Sequence, residues 1–189
     1  MIRIGILGDI GSGKSFIAKS FGYPVFNADN EVEKLYKKNR KIFIKLNKAL
    51  PKYIIHFPIK KQEILRSILA NRNNLKEIIK IIHPEVRKKM NTFIKKNKKK
   101  KFIILDVPLL LENKINRKKD ILVFIESKKM QILKRLKKRK NFDYKIINKF
   151  RKIQLPLDYK KKKSNFIIKN NFTNRFIKKQ IKYILKQIH

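Results

Sequence analysis

One segment decides the fold of this chain: Gly8-Asp9-Ile10-Gly11-Ser12-Gly13-Lys14-Ser15. It satisfies the pattern G-x-x-x-x-G-K-[ST] at every fixed position, directly after the β-branched run Ile2–Leu7 and at the start of the apolar-periodic stretch Lys14–Phe21. The chain has 5 glycines, and three of them fall in this loop, which disfavours a chance glycine-rich hairpin. A dinucleotide-binding loop is also disfavoured, because it would need glycine where Phe16 stands. A strand, a phosphate-binding loop (P-loop) and a helix are therefore predicted in this order.

The loop predicts the binding of a nucleoside triphosphate. Its glycines let backbone N–H groups converge on phosphate oxygens, and the following helix directs its positive end at the anion. Lys14 can reach the β- and γ-phosphates, and the Ser15 hydroxyl can bind Mg²⁺. We expect a nucleoside triphosphate bound together with Mg²⁺. The residues expected to contact the nucleotide are Gly8, Gly11, Ser12, Gly13, Lys14, Ser15 and Phe16.

The composition of the chain indicates a folded, basic protein. Its 189 residues include 52 Lys+Arg and 13 Asp+Glu, for a formal net charge of +39, and 42% of them are hydrophobic. The absence of cysteine excludes a disulfide scaffold, a thiolate metal site and cysteine catalysis. No apolar run approaches the roughly 20 residues of a spanning helix, and the N-terminus reaches glycines too early for a signal peptide. We expect a soluble, cytoplasmic protein with no membrane partner.

The charge has two interpretations, an AT-rich genome that loads every protein with Lys, Ile and Asn, or a nucleic-acid-binding surface. Lysines spread from Lys34 to Lys186 without an aromatic-interleaved patch, which favours genomic background. The runs Lys98–Lys101 and Lys160–Lys163 are expected to be solvated helix ends or loops. We expect no specific nucleic-acid partner, and a monomer or weak homo-oligomer.

Strands and helices alternate along the chain, which predicts an α/β fold with a parallel sheet flanked by helices. Predicted strands are Ile2–Leu7, Tyr23–Phe26, Lys101–Leu105, Asp120–Ile125 and Phe166–Ile168. Further helices are predicted at Asn30–Lys38, across Ile59–Lys100, at Ser127–Lys140 with Ser127 as N-cap, and at Phe172–Ile188. His83-Pro84 interrupts the second of these, and its proline suits the first turn of a new helix. We predict one domain, 1–189, with a core at about 1–58 and 101–189, a helical insertion at about 59–100 and a lid at about 135–160.

Two acids follow predicted strands and are expected at the carboxyl edge of the sheet, where α/β folds bind ligands. Asp29 is either a general base for an acceptor hydroxyl or the N-cap of the next helix. Asp106 is either a metal-side acid or part of a plain turn before Pro108.

Arg135 and Arg139 are spaced i,i+4, so that both face one side of a helix. They either clamp phosphates when a lid closes or are two surface arginines on a basic helix. His83 is either a substrate ligand or a cap at a helix junction. Glu112, in Leu111-Glu112-Asn113, either orients substrate or closes a turn.

In this order, the motifs resemble those of the dephospho-CoA kinase family over nearly the whole chain. The matching segments are the P-loop, Asn27-Ala28-Asp29, Ile82-His83-Pro84, Val107-Pro108-Leu109-Leu110-Leu111-Glu112, Gln131…Arg135…Arg139, Gln154 and Asn170. The resemblance implies a P-loop kinase fold with a helical CoA-binding insertion and a lid. It also implies a phosphotransferase that uses ATP and Mg²⁺ to phosphorylate the ribose 3′-hydroxyl of dephospho-CoA, the last step of coenzyme A synthesis.

The same resemblance implies a role for each matching residue. Catalytic roles fall to Asp29 as base and to Lys14, Arg135 and Arg139; substrate contacts fall to Asp29, His83, Pro108, Leu109 and Glu112; metal contacts fall to Ser15 and Asp106. The chain departs from the family pattern at three positions: Asn27 replaces the first acid of Asp-Ala-Asp, Phe16 replaces the usual Thr, and Asp9 stands in the anion loop where Gly is usual.

Two alternatives belong to other function classes. One is a different small-molecule P-loop kinase acting on a nucleoside or nucleotide. The other is a basic ATPase stimulated by nucleic acid, which would show a steep salt dependence of nucleic-acid binding.

Overall fold

The computed structural model describes residues 1–138 and 142–188. Within this part of the chain, five strands form one sheet in the order β2-β3-β1-β4-β5, and every neighbouring pair is parallel. The strands are β1 (Ile2–Gly8), β2 (Val25–Asn27), β3 (Phe102–Asp106), β4 (Ile121–Glu126) and β5 (Phe166–Lys169). The predicted α/β fold with a parallel sheet flanked by helices is confirmed.

In the described part of the chain, one helix follows β1, four follow β2, three follow β4 and one follows β5, and no helix separates β3 from β4. The helices are α1 (Lys14–Ser20), α2 (Ala28–Lys38), α3 (Arg40–Ala49), α4 (Lys61–Ala70), α5 (Arg72–Lys96), α6 (Lys129–Lys137), α7 (Tyr144–Lys152), α8 (Leu157–Lys162) and α9 (Asn174–Gln187). Among the described residues, no helix is both long enough and apolar enough to cross a membrane.

The central strands are mostly apolar because helices cover the sheet. Ile4, Ile6 and Val123 are fully buried in one cluster with residues of α1 and α9. In α9 the buried positions Ile177, Ile181 and Ile184 recur at spacings of four and three, the pattern of a helix with one apolar face. This core holds the carboxyl end of β1 and the start of α1 in place.

The chain divides into two compact units. The sheet unit comprises Met1–Asn27, Asn97–Asp143 and Arg151–His189, and the helical unit comprises Ala28–Lys96 and Tyr144–Phe150. In the helical unit, Leu35, Ile42 and Leu46 are buried, together with apolar residues of α4 and α5.

The predicted helix break at His83-Pro84 is wrong. Pro84 lies inside the single 25-residue helix α5. A proline there removes one main-chain hydrogen bond, but the buried side chains of Ile78, Ile82 and Met90 hold the helix on both sides of it. The break falls instead at Asn71, whose side chain accepts a hydrogen bond from the amide of Asn73 at 2.9 Å.

Candidate functional site

The P-loop joins β1 to α1, and its backbone has positive φ angles, which favour glycine, at Gly8, Gly11 and Gly13. Gly13 has φ +91°, and a Cβ there would lie 2.5 Å from Asn170 Nδ2. Gly8 has φ +143°, and a Cβ there would lie 2.7 Å from the carbonyl oxygen of Ile125. A helix leaves its first amides without acceptors inside the helix, and such amides can bind an anion. The loop geometry thus agrees with the phosphate site predicted from the sequence.

Two side chains from distant segments hold the loop through the carbonyl oxygen of Ser12. Asn170 Nδ2 donates to it at 2.7 Å, and Ser127 Oγ donates to it at 3.0 Å. The prediction that Ser127 caps α6 is wrong, because Lys128 is the N-cap residue and the Ser127 hydroxyl turns to the P-loop instead. Ser12 is 1% exposed and Asn170 4%, and Ser127 is half-buried, so this support of the loop is largely shielded from solvent.

The Lys14 ammonium lies within the loop. Its Nζ donates to the carbonyl oxygen of Asp9 at 2.7 Å and to that of Gly8 at 3.2 Å. Ser15 and Phe16 are exposed at the start of α1. The Ser15 hydroxyl accepts a hydrogen bond from Asn27 Nδ2 at 3.4 Å.

Asp106 and Asn27 meet at the carboxyl ends of two neighbouring strands. They are partners in the parallel register of β2 and β3, and Asn27 Nδ2 donates to Asp106 Oδ2. Asp106 is only 2% exposed, and this contact with Asn27 fits a metal-side acid better than a plain turn. The amide at position 27 donates a hydrogen bond to Asp106, whereas a second carboxylate there would repel it.

The donors at this edge fit Mg²⁺. A carboxylate oxygen of Asp106 and the hydroxyl of Ser15 are hard oxygen ligands, and Mg²⁺ in phosphotransferases takes one or two such ligands beside phosphates and water. The described residues contain no group of three or more His, Cys, Asp or Glu side chains placed to hold a metal by themselves.

The negative charge of Asp9 within the loop has a partner that sequence reasoning missed. Arg151 Nη2 donates to Asp9 Oδ2 at 2.8 Å, and Arg151 Nε donates to Asp9 Oδ1 at 3.2 Å. Asp9 Oδ1 also accepts a hydrogen bond from the amide of Ile10 at 2.6 Å. The sequence did indicate that a cation should pair with Asp9, because a carboxylate in an anion-binding loop would otherwise repel the anion. No sequence pattern indicated that this cation is Arg151.

Of the two arginines predicted to lie in a lid, the structure describes Arg135 only. The Arg135 guanidinium lies over the ring of Phe172, 4.4 Å from its centroid. Phe172 has φ +64°, unusual for a bulky residue, and its amide donates to Asn170 Oδ1 at 2.8 Å. Arg139 lies outside the described residues.

Glu112 takes part in a buried polar cluster. Its Oε1 lies 2.7 Å from Lys160 Nζ and accepts from the amide of Leu155 at 3.0 Å. Lys160 also donates to Gln154 Oε1 at 3.1 Å. The prediction that the run Lys160–Lys163 is solvated is wrong for Lys160, which is 1% exposed. Pro108 and Leu109 are half-buried in the turn that follows β3.

The remaining predicted residues belong to the helical unit. Asp29 is exposed and is the second residue of α2, so that the N-cap interpretation is wrong. His83 is half-buried inside α5 and caps no helix junction. It borders a groove of about 410 Å³ along α5, which is lined by Ile79, Lys80, His83, Pro84, Arg87, Lys88 and Asn91.

Comparison with known proteins gives one consistent result. The dephospho-CoA kinase family model matches residues 2–175. The dephospho-CoA kinase of Wolbachia pipientis wMel is 34% identical to this chain over 191 residues, which cover 98% of this chain and 97% of that protein.

Solved structures agree in fold. A Thermus thermophilus protein is similar with a TM-score of 0.75 at 22% identity, over 100% of this chain and 98% of that one. The dephospho-CoA kinase of Campylobacter jejuni has a TM-score of 0.62 at 21% identity, over 98% of this chain and 96% of that one. The family match spans nearly the whole chain and includes the P-loop, so the chain belongs to the dephospho-CoA kinase family, kinases that transfer a phosphoryl group from ATP to the 3′-hydroxyl of dephospho-CoA.

Proposed function

We propose that this chain uses Mg²⁺-ATP to phosphorylate the ribose 3′-hydroxyl of dephospho-CoA, and that its own residues divide the work between a donor side and an acceptor side. The observation that supports this most is the group formed by Lys14, Ser15, Asn27 and Asp106 at the end of the sheet. It combines a cation for phosphate, oxygen ligands for a divalent metal and a loop that fits a polyphosphate.

On the donor side, the P-loop amides and Lys14 bind the β- and γ-phosphates. Ser15 and Asp106 would hold Mg²⁺, which supplies charge neutralisation on the phosphate oxygens when it is bound. Arg135 and Arg139, four residues apart in the sequence, would contact phosphates from the lid. Positioning and charge account for most of the rate enhancement in phosphoryl transfer.

On the acceptor side, Asp29 accepts the proton of the ribose 3′-hydroxyl. The hydroxyl oxygen forms a bond to the γ-phosphorus, the bond from that phosphorus to the bridging oxygen breaks, and ADP leaves with the electron pair. Asp29 suits this role because its carboxylate is exposed at the start of α2, directly after β2. A base of this kind contributes about 10²–10⁴-fold to the rate.

We propose His83, Pro108, Leu109 and Glu112 as the other acceptor-side residues. Because Oε1 of Glu112 is already bound by Lys160 and by the Leu155 amide, Glu112 acts by fixing the turn that carries Pro108 and Leu109. The insertion at about 59–100 would carry the CoA-binding surface, and the segment at about 135–160 would be the lid.

The cellular setting is proposed from the same reasoning. The protein works in the cytoplasm as a monomer or weak homo-oligomer, and its charge serves no specific nucleic acid. Basic charge near the active site would still favour the approach of anionic substrates.

An ADP-release assay tests the proposed reaction. ATP and Mg²⁺ are supplied with dephospho-CoA, and parallel reactions contain adenosine, AMP or single-stranded RNA. We expect turnover with dephospho-CoA alone and a product with the mass of CoA. Turnover with adenosine or AMP would identify a different kinase, and stimulation by RNA without any acceptor would identify a nucleic-acid-dependent ATPase.

A further inference from the structure

The P-loop of this chain contains an acid at the point where it must attract anions. Asp9 is the first residue after Gly8, and its side chain is 13% exposed. Its Oδ1 accepts from the Ile10 amide at 2.6 Å, so that the carboxylate occupies a main-chain donor of the loop itself. A fixed negative charge here would repel a bound polyphosphate, because two like charges a few ångströms apart interact strongly in a partly buried site.

Arg151 supplies the opposite charge in a geometry that is both close and oriented. Its Nη2 and Nε each donate to a different oxygen of the Asp9 carboxylate, at 2.8 and 3.2 Å. A two-point contact fixes the orientation of the carboxylate plane and also neutralises its charge. A lysine could neutralise the charge but could not fix the plane. The Arg151 side chain is 35% exposed and the Asp9 side chain 13%, so the pair is only partly shielded from solvent.

The two contacts of Asp9 act together. The Ile10 amide and the Arg151 fork hold both carboxylate oxygens, and the pair has no net charge. The loop can then present its remaining amides and Lys14 to phosphate as if position 9 were uncharged. Without Arg151, the same carboxylate would keep its charge and lose the contact that fixes its orientation.

We propose that Arg151 is a positioning residue for the nucleotide: it neutralises and fixes Asp9, and ATP binding depends on Arg151 only because Asp9 is present. The inference rests on the proposed function only in taking ATP as the ligand of the loop. It assigns to Arg151 no contact with the acceptor and no part in proton transfer.

A double-mutant cycle on ATP binding tests this dependence. Isothermal titration calorimetry measures Mg²⁺-ATP binding, without any acceptor, to the wild-type protein and to Arg151→Gln, Asp9→Gly and the double variant. We expect Arg151→Gln to weaken ATP binding roughly tenfold, the size expected for an unpaired charge beside a ligand charge. In the Asp9→Gly background, the same change should weaken binding less than about twofold.

Two further variants separate charge pairing from general effects. Lys152→Gln removes one positive charge from the neighbouring exposed position and should change ATP affinity less than about twofold. Asp9→Asn keeps an oxygen that can accept from the Ile10 amide and removes the negative charge, so this variant should bind ATP at least as tightly as the wild type. This measurement tests the proposal even if the variant Arg151→Gln does not fold. In steady-state assays, Arg151→Gln should raise the KM for ATP and leave the KM for dephospho-CoA within about twofold.

The proposal is overturned if Arg151→Gln weakens ATP binding equally in both backgrounds, because Arg151 would then act on the nucleotide directly. It is also overturned if Arg151→Gln binds ATP normally, or if Asp9→Asn binds it less tightly. Since ATP binding is measured without acceptor, a protein that shows the expected cycle but does not phosphorylate dephospho-CoA would refute the proposed function and support the role of Arg151.

Discussion

The Lys160 ammonium lies 2.7 Å from Glu112 Oε1, and the two side chains are 1% and 9% exposed. Glu112 belongs to the turn after β3, and Lys160 belongs to α8. The amide of Leu155, just before α8, donates to the same oxygen of Glu112 at 3.0 Å. A single carboxylate oxygen therefore anchors the segment around α8 to the turn in which Pro108 and Leu109 lie.

Replacing Lys160 with methionine should destabilise the protein strongly. The change keeps an unbranched side chain that is one atom shorter but leaves the Glu112 carboxylate buried without its cation, which costs about 3–5 kcal/mol in comparable pairs. Urea unfolding at pH 7 measures the loss in the free energy of unfolding. Lys162→Met, at an exposed position of the same helix, should change it by less than about 0.5 kcal/mol.

The double variant Lys160→Met/Glu112→Gln distinguishes the charge from the packing. Removing both charges should recover a large part of the loss, because no buried charge then remains unpaired. If the free energy of unfolding of the double variant is equal to or lower than that of Lys160→Met, the loss in Lys160→Met does not come from an unpaired buried charge on Glu112.

The sequence predicted features that depend on local chemistry. The P-loop pattern predicted a strand, a loop and a helix in this order, and the structure confirms the order with Lys14 and Ser15 at the start of α1, because glycine spacing fixes the backbone within a few residues. The strands were predictable because a sheet covered on both faces requires short, continuously apolar segments such as β3.

The features that were missed depend on partners far away in the sequence. Lys160 is indistinguishable from its lysine neighbours until Glu112 is placed beside it. Arg151 has a role only through its contact with Asp9. The Ser127 hydroxyl donates to the carbonyl oxygen of Ser12 instead of capping α6. No local pattern encodes these contacts, because the residues meet only after the sheet has formed.

Asp29→Asn should abolish most of the activity without disturbing the fold. The change keeps the size of the side chain and removes its ability to accept a proton, so kcat should fall by about 10²–10⁴-fold. Steady-state ADP release with dephospho-CoA measures kcat, and calorimetry should show unchanged Mg²⁺-ATP binding.

A matched control for Asp29 lies in the same helical turn. Glu31 is the other acid in the first turn of α2 and pairs with Lys34 at 2.6 Å. Glu31→Gln removes an equal charge from the helix N-terminus, and kcat should change less than about threefold. If both variants lose the same activity, Asp29 acts through the helix terminus and is not the base.

Asn27→Asp should increase the thermal stabilisation that Mg²⁺ gives to the protein. The new carboxylate would lie within hydrogen-bonding distance of Asp106, replacing a donated hydrogen bond with like-charge repulsion. The metal-free variant should be less stable than the wild type by about 1–3 kcal/mol. Thermal unfolding with and without Mg²⁺, in the absence of nucleotide, should show a larger rise in Tm for the variant, because two carboxylates attract the cation. An equal or smaller rise would place the metal away from Asp106.

Glu63 provides a prediction for the pH dependence of stability. Burial alone would raise the pKa of Glu63, but hydrogen bonds from the His56 ring and from the amides of Lys60, Ile55 and His56 together hold it below its usual value of 4.5. The ionised form is therefore preferred in the folded protein. Stability from this group is present above the unfolded pKa and is lost as the pH falls through the lower, folded pKa.

Glu63→Gln should reduce the free energy of unfolding by about 1.5–3 kcal/mol at pH 7, because charge-assisted hydrogen bonds to three amides and an imidazole are replaced by weaker ones. Urea unfolding between pH 7 and pH 3 should show the difference from the wild type shrinking once the pH drops below the usual value of 4.5. Glu77→Gln, at a half-buried position of α5 in the same unit, should differ from the wild type by less than about 0.5 kcal/mol throughout. A difference for Glu63→Gln that stays constant down to pH 3 would mean that packing of the side chain, and not its charge, stabilises this corner of the helical unit.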